Sequence, residues 1–337
     1  MESPASSFNS IRRYSTSVIL ASVFGQRATS YATPKVQALY HAQEQFTEIL
    51  APGATPPVDA FPVLRYIPAF LAGYKSRAAR IRREQRTLYS SLLDETQARR
   101  DRLDIIPCFM NKLLENKEKS GLNSDQLIYT GGILMEAGSD TTSATLHSFI
   151  LAMIKYPLVL QKAQKELDEI CGTSRSPGAS DIGKATYVQA IMTEDDTYDG
   201  YLLPKGTIVF ANTWSIHQDA AEYENPEEFI PERFLENKYG SKNTQEDSAD
   251  NDQRRVTYGF GAGRRMINMA KIAWAFSITA DPNSPPLDVE VCTGYSDGFV
   301  LGPKPFSASF QVRSSQHREV IDREFESVKA FFRKYED

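Results

Sequence analysis

A carboxylate and a hydroxyl stand side by side in the stretch AGSDTT at residues 137–142. Asp140 and Thr141 could deliver a proton, because proton transfer requires groups within hydrogen-bond reach of the reacting atom. A hydroxyl in the middle of a helix, next to a carboxylate, can also bend the helix and hold water. The competing interpretation is a helix that Gly138 notches so that a neighbour can pack closely. From this stretch alone, both interpretations are equally supported.

A second candidate is the glycine-rich stretch YGFGAGRR at residues 258–265. One hypothesis is a phosphate-binding loop, in which backbone amides surround the phosphate. That hypothesis is weak, because such a loop requires a preceding strand and a suitable following helix. The residues that follow, Arg264, Arg265 and Met266, also lack the lysine of a nucleotide-binding loop. The stretch therefore needs another explanation.

Cysteine and histidine spacing argues against a dedicated zinc site. Cys108, Cys171 and Cys292 lie far apart without a CxxC pair, and the four histidines form no HExxH motif. Such spacing provides neither the ligand pattern of zinc nor a disulfide framework. The sparse, odd cysteine count agrees with a reducing compartment or with plain buried thiols.

Charge and hydropathy exclude further classes of function. The formal net charge of -5 gives no electrostatic case for nucleic acid, which requires a basic face. The arginine cluster within residues 77–86 is interpreted as a solvated helix face. No stretch reaches the roughly 18 apolar residues that span a bilayer. Residues 1–30 lack the basic and apolar regions of a signal peptide, so we expect neither a signal nor a membrane anchor.

The longest predicted helix runs over residues 123–156 and contains the AGSDTT stretch. Asn123 and Gln126 form a capping-box-like start, and Pro157 ends the helix. At 1.5 Å per residue it would be about 50 Å long and act as a central strut. Its apolar residues run nearly all round, so we expect burial on most sides. Polar residues and glycines in its middle break local helix rules, which is where a functional site is expected.

The other predicted elements are mostly helices. They cover residues 77–102, 159–171, 266–276 and 318–335. Strand-forming residues predict a hairpin at 196–213 and short strands at 289–291 and 310–312. Two segments are predicted to be irregular, a proline-rich extended connector at 51–68 and a polar surface loop at 237–255. The predicted fold class is mainly α, in an α+β arrangement with a long central helix and a small β region.

Four sets of residues, in the expected order, resemble the cytochrome P450 family. Residues 137–142 are similar to the A-G-x-[DE]-T-[TS] pattern of its central helix. Residues 225–234 (NPEEFIPERF) match its P-x-x-F-x-P-E-R-F segment. Residues 258–265 match the front half of its haem-binding loop, F-x-x-G-x-R-x-C-x-G. The flanks at 187–196 and 204–207 resemble fungal members, most closely those that oxidise secondary metabolites.

The resemblance implies a role for the mid-helix residues. Asp140 and Thr141 would take the positions that relay protons to bound oxygen, and Gly138 would let dioxygen approach the backbone. Haem is the cofactor that the resemblance implies, and an NADPH-dependent reductase is the implied electron donor. The implied substrate is a lipophilic small molecule.

The haem-loop pattern is interrupted after its first half. Phe260, Gly263 and Arg265 fit the loop, and the resemblance implies that Arg265 pairs with a haem propionate. The pattern should then reach a cysteine after one more residue, but position 267 is Ile. We expect about a dozen residues to be missing between 265 and 266, and with them the axial metal ligand. The resemblance therefore implies an inactive form in which haem binding is impaired.

A second interruption is expected near residues 192–193, where the family's E-x-x-R helix should begin. Glu194 lies near the position of the glutamate, but Thr197 stands where the arginine should be. In the family, Arg233 would complete a buried Glu-Arg-Arg network, and without its partners we expect it to turn to solvent. The expected organisation is a partial cytochrome P450 domain over residues 1–337, without the N-terminal anchor and early helices of the family.

Two alternatives to an inactive enzyme remain open from the sequence. One is an active monooxygenase whose gene model is mis-spliced. In that case the natural protein contains the missing residues. The other is a non-catalytic protein that retains a cleft for lipophilic ligands. The expected location is cytoplasmic or loosely associated with the endoplasmic reticulum, since no anchor is found in the chain.

Overall fold

A computed structural model describes residues 6–51, 53–58, 61–68, 71–182, 184–185, 220, 223–225, 230–236, 242, 264–296 and 302–336. The chain divides into two compact units. The first unit consists of Met1–Lys155, Ile278–Phe310 and Arg323–Asp337. The second unit consists of Tyr156–Ser277 and Gln311–Asp322.

Helices dominate the described residues, and the predicted mainly α fold class is confirmed. They are α1 (Ser6–Phe24), α2 (Pro34–Leu50), α3 (Gly73–Asp101), α4 (Phe109–Glu115), α5 (Lys117–Ser120), α6 (Ser124–Lys155), α7 (Pro157–Cys171), α8 (Ala179–Ile182), α9 (Arg233–Glu236), α10 (Arg264–Ala275), α11 (Val291–Gly294) and α12 (Ser315–Phe332). Short 3-10 turns cover Pro62–Tyr66 and Arg333–Tyr335. Two strands, β1 (Phe276–Ala280) and β2 (Ala308–Val312), form a two-stranded sheet.

The long helix α6 agrees with its prediction at both ends. The backbone amide of Asn123 donates to Gln126 Oε1 and the amide of Gln126 donates to Asn123 Oδ1, each at 2.9 Å. This reciprocal pair is a capping box that satisfies two amides without partners inside the helix. The helix ends at Lys155, two residues before Pro157. Its 32 residues span about 48 Å, so the expected strut is present.

Replacing Asn123 by alanine should lower the free energy of unfolding by about 1 kcal/mol, because the amide of Gln126 loses its acceptor. Thermal and urea unfolding of the two proteins would measure the loss. Asn123→Ser is the matched control, since serine also caps helices, and it should stay close to the original stability. Equal losses in both variants would contradict the capping role.

The core of the first unit lies among α1, α2, α3, α4 and α6. It is built from large apolar side chains that are almost fully buried: Leu20, Phe24, Leu39, Leu92, Met110 and Met135. Burial of each contributes about 1.5–3 kcal/mol relative to exposure. The prediction that α6 is buried on most sides is wrong at Ile133 and Leu134, which are 60% and 39% exposed. That part of α6 has no neighbouring element to cover it within the described chain.

Glycines in α6 stand where other helices pack against it. A methyl group at Gly132 would overlap the ring of Tyr89 from α3. One at Gly138 would overlap the side chain of Ile19 from α1. Each glycine therefore permits a close approach that any larger residue would block. For Gly138 this favours the packing interpretation of the AGSDTT stretch.

The second unit is held by α7, α10 and the start of α12. Trp274 of α10 is fully buried and its indole donates to the carbonyl of Gly172 at 2.9 Å. Arg313 donates to both carboxylate oxygens of Asp168 in α7, at 2.8 and 2.5 Å. This bidentate pair ties the segment before α12 to α7.

Two predicted elements are corrected by the structure. Residues 289–291 do not form a strand, because the carboxylate of Asp288 accepts from the amide of Glu290 at 3.1 Å and from the hydroxyl of Thr293 at 3.0 Å. These local bonds favour the short helix α11 over an extended strand. The connector at 51–68 contains a 3-10 turn that Pro62 opens, so it is not extended throughout.

The other predictions match the structure or lie outside its described residues. Helices α3, α7, α10 and α12 correspond to the four predicted shorter helices, and β2 contains the predicted strand at 310–312. Strand β1 was not predicted. The predicted hairpin at 196–213 lies outside the described residues, as does the loop at 237–255 apart from Lys242.

No single helix among the described residues is both long and apolar enough to cross a membrane. Only α6 and α7 taken together as a bent pair meet that criterion of length and composition.

Candidate functional site

The polar stretch in the middle of α6 is tolerated because its hydroxyls bond to the helix itself. The Thr141 hydroxyl donates to the carbonyl of Ala137 at 2.6 Å, and the Ser139 hydroxyl donates to the carbonyl of Met135 at 2.8 Å. Such bonds to the preceding turn supply the hydroxyls with an acceptor inside the helix. The Thr141 proton is therefore directed at the backbone in this structure.

Asp140 lines a cavity of about 280 Å³ in the first unit, whereas Thr141 does not line it. The walls also include Arg12 of α1 and Glu44 of α2. Burial raises the pKa of Asp140, and the charge of Glu44 adds to this, while Arg12 opposes it. The structure thus places the two predicted catalytic residues next to each other in the chain but exposes only the carboxylate to the cavity.

Arg12 and Lys304 are the cations that line this cavity with Asp140 and Glu44, and Arg12 has the closer described contacts. Its guanidinium lies 3.8 Å from Glu44 and 4.5 Å from the ring centroid of Tyr40. The Tyr40 hydroxyl donates to the backbone carbonyl of Arg12 at 3.1 Å and accepts from Thr16 at 3.2 Å. Burial raises the pKa of Tyr40. The cavity therefore combines carboxylates, a guanidinium and a neutral phenol.

Glu136 lies one helical turn before Asp140 and has a polar environment of its own. Its carboxylate accepts from the Tyr89 hydroxyl and, at 3.2 Å, from the amide of Gln85. Burial raises the pKa of Glu136, and its hydrogen bonds to Tyr89 and Gln85 oppose that shift. Burial and the nearby Glu136 charge raise the pKa of Tyr89. This phenol stays protonated and donates to the carboxylate.

His147 lies two turns after Asp140, and its side chain is 2% exposed. Its ring stacks on Phe8 with centroids 3.7 Å apart and planes within 3°. One ring nitrogen lies 3.1 Å from the carbonyl oxygen of Phe8. Burial lowers the pKa of His147 to about 3. The imidazole is therefore neutral and donates to this carbonyl at ordinary pH.

The sequence contained a signal for this polar face that the spacing analysis did not use. Glu136, Asp140, Ser143 and His147 are separated by four, three and four residues, so they share one face of α6. Arg12 carries no comparable signal. Its proximity depends on α1 packing against α6.

The predicted haem-loop residues lie largely outside the described part of the chain. Phe260 and Gly263 are not described, and Arg265 is described only as a backbone position in the first turn of α10. The predicted role of these residues in a haem loop therefore stays a prediction.

Arg233 does not turn wholly to solvent, so that expectation is wrong. It is half-buried and its guanidinium donates to the carbonyls of Glu224 at 2.6 Å, Asn225 at 3.1 Å and Ile230 at 3.3 Å. A guanidinium has five N–H donors in a planar fork, which suits several carbonyls of one loop. The backbone of its own segment thus supplies acceptors that the sequence pattern could not reveal.

The described residues do not fit a haem with a thiolate ligand. Cys108 and Cys171 are the buried free thiols that the structure describes, and burial raises the pKa of both. Neither residue lines the cavity at Asp140, which is also smaller than the 300–1,000 Å³ typical of ligand pockets. The stacked and hydrogen-bonded ring of His147 is committed to Phe8.

Comparison with known proteins identifies what this chain is similar to. The family model described as Cytochrome P450 matches residues 2–195 and 191–266. The chain is 33% identical to the cytochrome P450 monooxygenase patI of Aspergillus clavatus over 356 aligned positions, which cover 96% of this chain and 67% of the relative.

Two further fungal relatives show the same degree of similarity. The cytochrome P450 monooxygenase AOL_s00215g282 of Arthrobotrys oligospora is 33% identical over 374 positions, covering 99% of this chain and 69% of the relative. The cytochrome P450 monooxygenase patH of Penicillium expansum is 35% identical over 350 positions, covering 95% of this chain and 66% of the relative. The chain spans about two thirds of the length of these relatives.

Proposed function

Since this chain belongs to the cytochrome P450 family, we propose that it is an internally shortened form of a fungal haem-thiolate monooxygenase of secondary metabolism, inactive as this polypeptide. One observation carries the proposal. The haem-loop remnant ends at Arg265, and the next cysteine in the sequence is Cys292, 27 residues later. A thiolate ligand pushes electron density onto iron and favours cleavage of the O–O bond. Without that ligand the chain lacks the group on which the family's chemistry depends.

The alignments support the two expected interruptions. The alignment with the Arthrobotrys relative has 374 positions, whereas this chain has 337 residues, so at least 37 positions fall opposite gaps in this chain. The family model matches in two segments that meet at residues 191–195, and the second segment ends at residue 266. These places coincide with the expected interruptions near 192–193 and 265–266.

In a form that contains the missing segments, we propose an active enzyme. A lipophilic secondary metabolite would be the substrate and an NADPH-dependent reductase the electron donor. Asp140 would hold a proton at the cavity. Thr141 would contribute its hydroxyl after release from the Ala137 carbonyl. Sequencing of genomic DNA and transcript across codons 192–193 and 265–266 would decide whether such a form is encoded.

We expect the chain as it stands to give no thiolate-type Soret band in a carbon monoxide difference spectrum after haem titration. Inserting the corresponding segments of the Aspergillus clavatus relative between 192 and 193 and between 265 and 266 should produce that band. The matched control carries the same insertions with serine in place of the inserted cysteine, and it should lack the band.

A thiolate-type band from the uninserted chain would overturn the proposal of inactivity. A band from the serine control would show that another residue supplies the ligand, which would equally contradict it.

A non-catalytic binding role is the second candidate function. The first unit contains a cavity of about 640 Å³ whose walls are more apolar than polar. That volume lies in the range of pockets for small organic ligands. The chain could therefore bind such a molecule without any cofactor.

A further inference from the structure

The larger cavity of the first unit, about 640 Å³, has walls suited to an apolar ring. Aromatic and proline side chains dominate one part of them: Phe8, Tyr31, Pro285, Pro286, Pro305 and Phe306. Flat, rigid side chains of this kind bury the faces of a ring with little loss of side-chain entropy. These walls therefore favour the binding of an apolar ring.

Two cations line the same cavity. They are Arg12 and Lys304, which belong to the first and the second chain segment of the first unit. Lys304 donates to the carbonyl of Thr293 at 2.7 Å and forms no ion pair with any residue that the structure describes. An ammonium group has three donors. Its charge and its remaining donors are thus available to a ligand.

Arg12 is the less solvated of the two cations, with its side chain 23% exposed. Its ion pair with Glu44 is 3.8 Å long, and Glu44 itself is 61% exposed. Its hydrogen bond to the Tyr31 hydroxyl is 3.4 Å long. Charge-assisted hydrogen bonds are normally about 2.7–2.9 Å. The guanidinium also lies over the rings of Phe8 and Tyr40, at 5.2 and 4.5 Å from their centroids. None of these contacts is a short hydrogen bond to an anion, so N–H donors of the guanidinium can still take up a carboxylate.

The acidic residues nearby do not cancel this charge within the larger cavity. Asp288 is its one carboxylate among the described residues, and one oxygen of Asp288 already accepts from the Glu290 amide and the Thr293 hydroxyl. Asp140 and Glu44 line the smaller neighbouring cavity, which Arg12 and Lys304 also line, but they do not reach the larger one. Two cations thus face one carboxylate that is engaged locally.

We propose that this cavity binds a small organic carboxylate with an apolar ring, whose carboxylate pairs with Arg12 and Lys304. The guanidinium fork matches the two oxygens of a carboxylate. The ring would lie against the aromatic and proline walls. The proposal uses no residue of the haem-loop remnant, so it stands or fails independently of the proposed enzyme ancestry.

Calorimetric titration of the full 337-residue chain with benzoate tests the proposal. Benzyl alcohol is the matched neutral probe, because it has the same ring and no charge. We expect benzoate to bind at least about tenfold more tightly than benzyl alcohol, because hydrogen bonds to a charged group are stronger than those between neutral groups. Thermal unfolding with and without benzoate should show a rise in the midpoint that saturates with ligand.

Lys304→Gln is the main variant, because the exposed side chain can change without disturbing the core. Its benzoate affinity should fall about fivefold or more, while its affinity for benzyl alcohol stays within about twofold. Lys119→Gln removes an equally exposed lysine of α5 and should leave both affinities unchanged. Arg12→Lys keeps the charge but loses the fork, so benzoate binding should weaken again.

The proposal is overturned by any of three results. One is equal affinity for benzoate and benzyl alcohol, which would mean that the cations do not take part. Another is an equal loss in the Lys304 and Lys119 variants, which would indicate a general charge effect. The third is the absence of saturable benzoate binding.

Discussion

Replacing Gly132 by alanine should lower the free energy of unfolding of the first unit by about 1–2 kcal/mol. The new methyl carbon would lie 2.5 Å from Cε2 of Tyr89 and still closer to two other ring atoms. The ring cannot easily move away, because Tyr89 is 1% exposed and its hydroxyl donates to Glu136. Overpacking of this kind costs about 1–3 kcal/mol or more, whereas the better helix propensity of alanine recovers about 1 kcal/mol.

Urea unfolding followed by circular dichroism would measure this loss, with Gly73→Ala as the matched control. Gly73 is the first residue of α3, and a methyl group there would meet no atom within 4 Å. Its substitution should change stability by less than about 0.5 kcal/mol. Combining Gly132→Ala with Tyr89→Leu should recover part of the loss, because the two side chains compete for one space. Equal stability of the two glycine variants would refute the close packing of α3 on α6.

Acidification should destabilise the first unit through His147. Its pKa is lowered to about 3 in the folded chain from an ordinary value of 6.5, because the ring is buried against Phe8. The unfolded chain therefore binds a proton first as the pH falls below 6.5. The stabilisation is fully present above pH 6.5 and decreases by about 1.4 kcal/mol per pH unit below it. Between pH 7 and pH 4 the expected loss is about 3 kcal/mol.

The contribution of His147 must be separated from that of the carboxylates on the same face of α6. Burial raises the pKa of Asp140 and Glu136. Groups of this kind increase the free energy of unfolding as the pH falls, because the folded chain then binds more protons than the unfolded chain. Comparison with His147→Gln isolates the histidine, because glutamine keeps a donor for the Phe8 carbonyl but does not titrate. The variant should show a shallower decrease of stability between pH 6.5 and pH 4.

His41→Gln is the control for this experiment, since it removes an exposed imidazole of α2. Its stability should follow the same pH course as the original chain. If the His147 variant also follows that course, the buried neutral imidazole is not the source of the acid sensitivity.

Local rules in the sequence were sufficient to determine where α6 begins and ends. Asn123 with Gln126 and the proline at 157 act within one turn of the chain, so α6 could be predicted at both ends. Membership of the family could also be predicted from the sequence, because motifs such as residues 225–234 are contiguous and can be identified without a structure. The isoleucine at position 267, where the haem-loop pattern requires a cysteine, is likewise a property of the sequence alone.

Tertiary structure decided what those residues contact. Gly138 could have served a reactant or a packed helix, and only the position of α1 places Ile19 against it. Arg12 joins Asp140, although more than a hundred residues separate them, because α1 packs on α6. Arg233 donates to the backbone carbonyls of Glu224 and Asn225, which no sequence motif predicted. Contacts between distant segments depend on the packing of whole helices, and spacing along the chain carries no information about them.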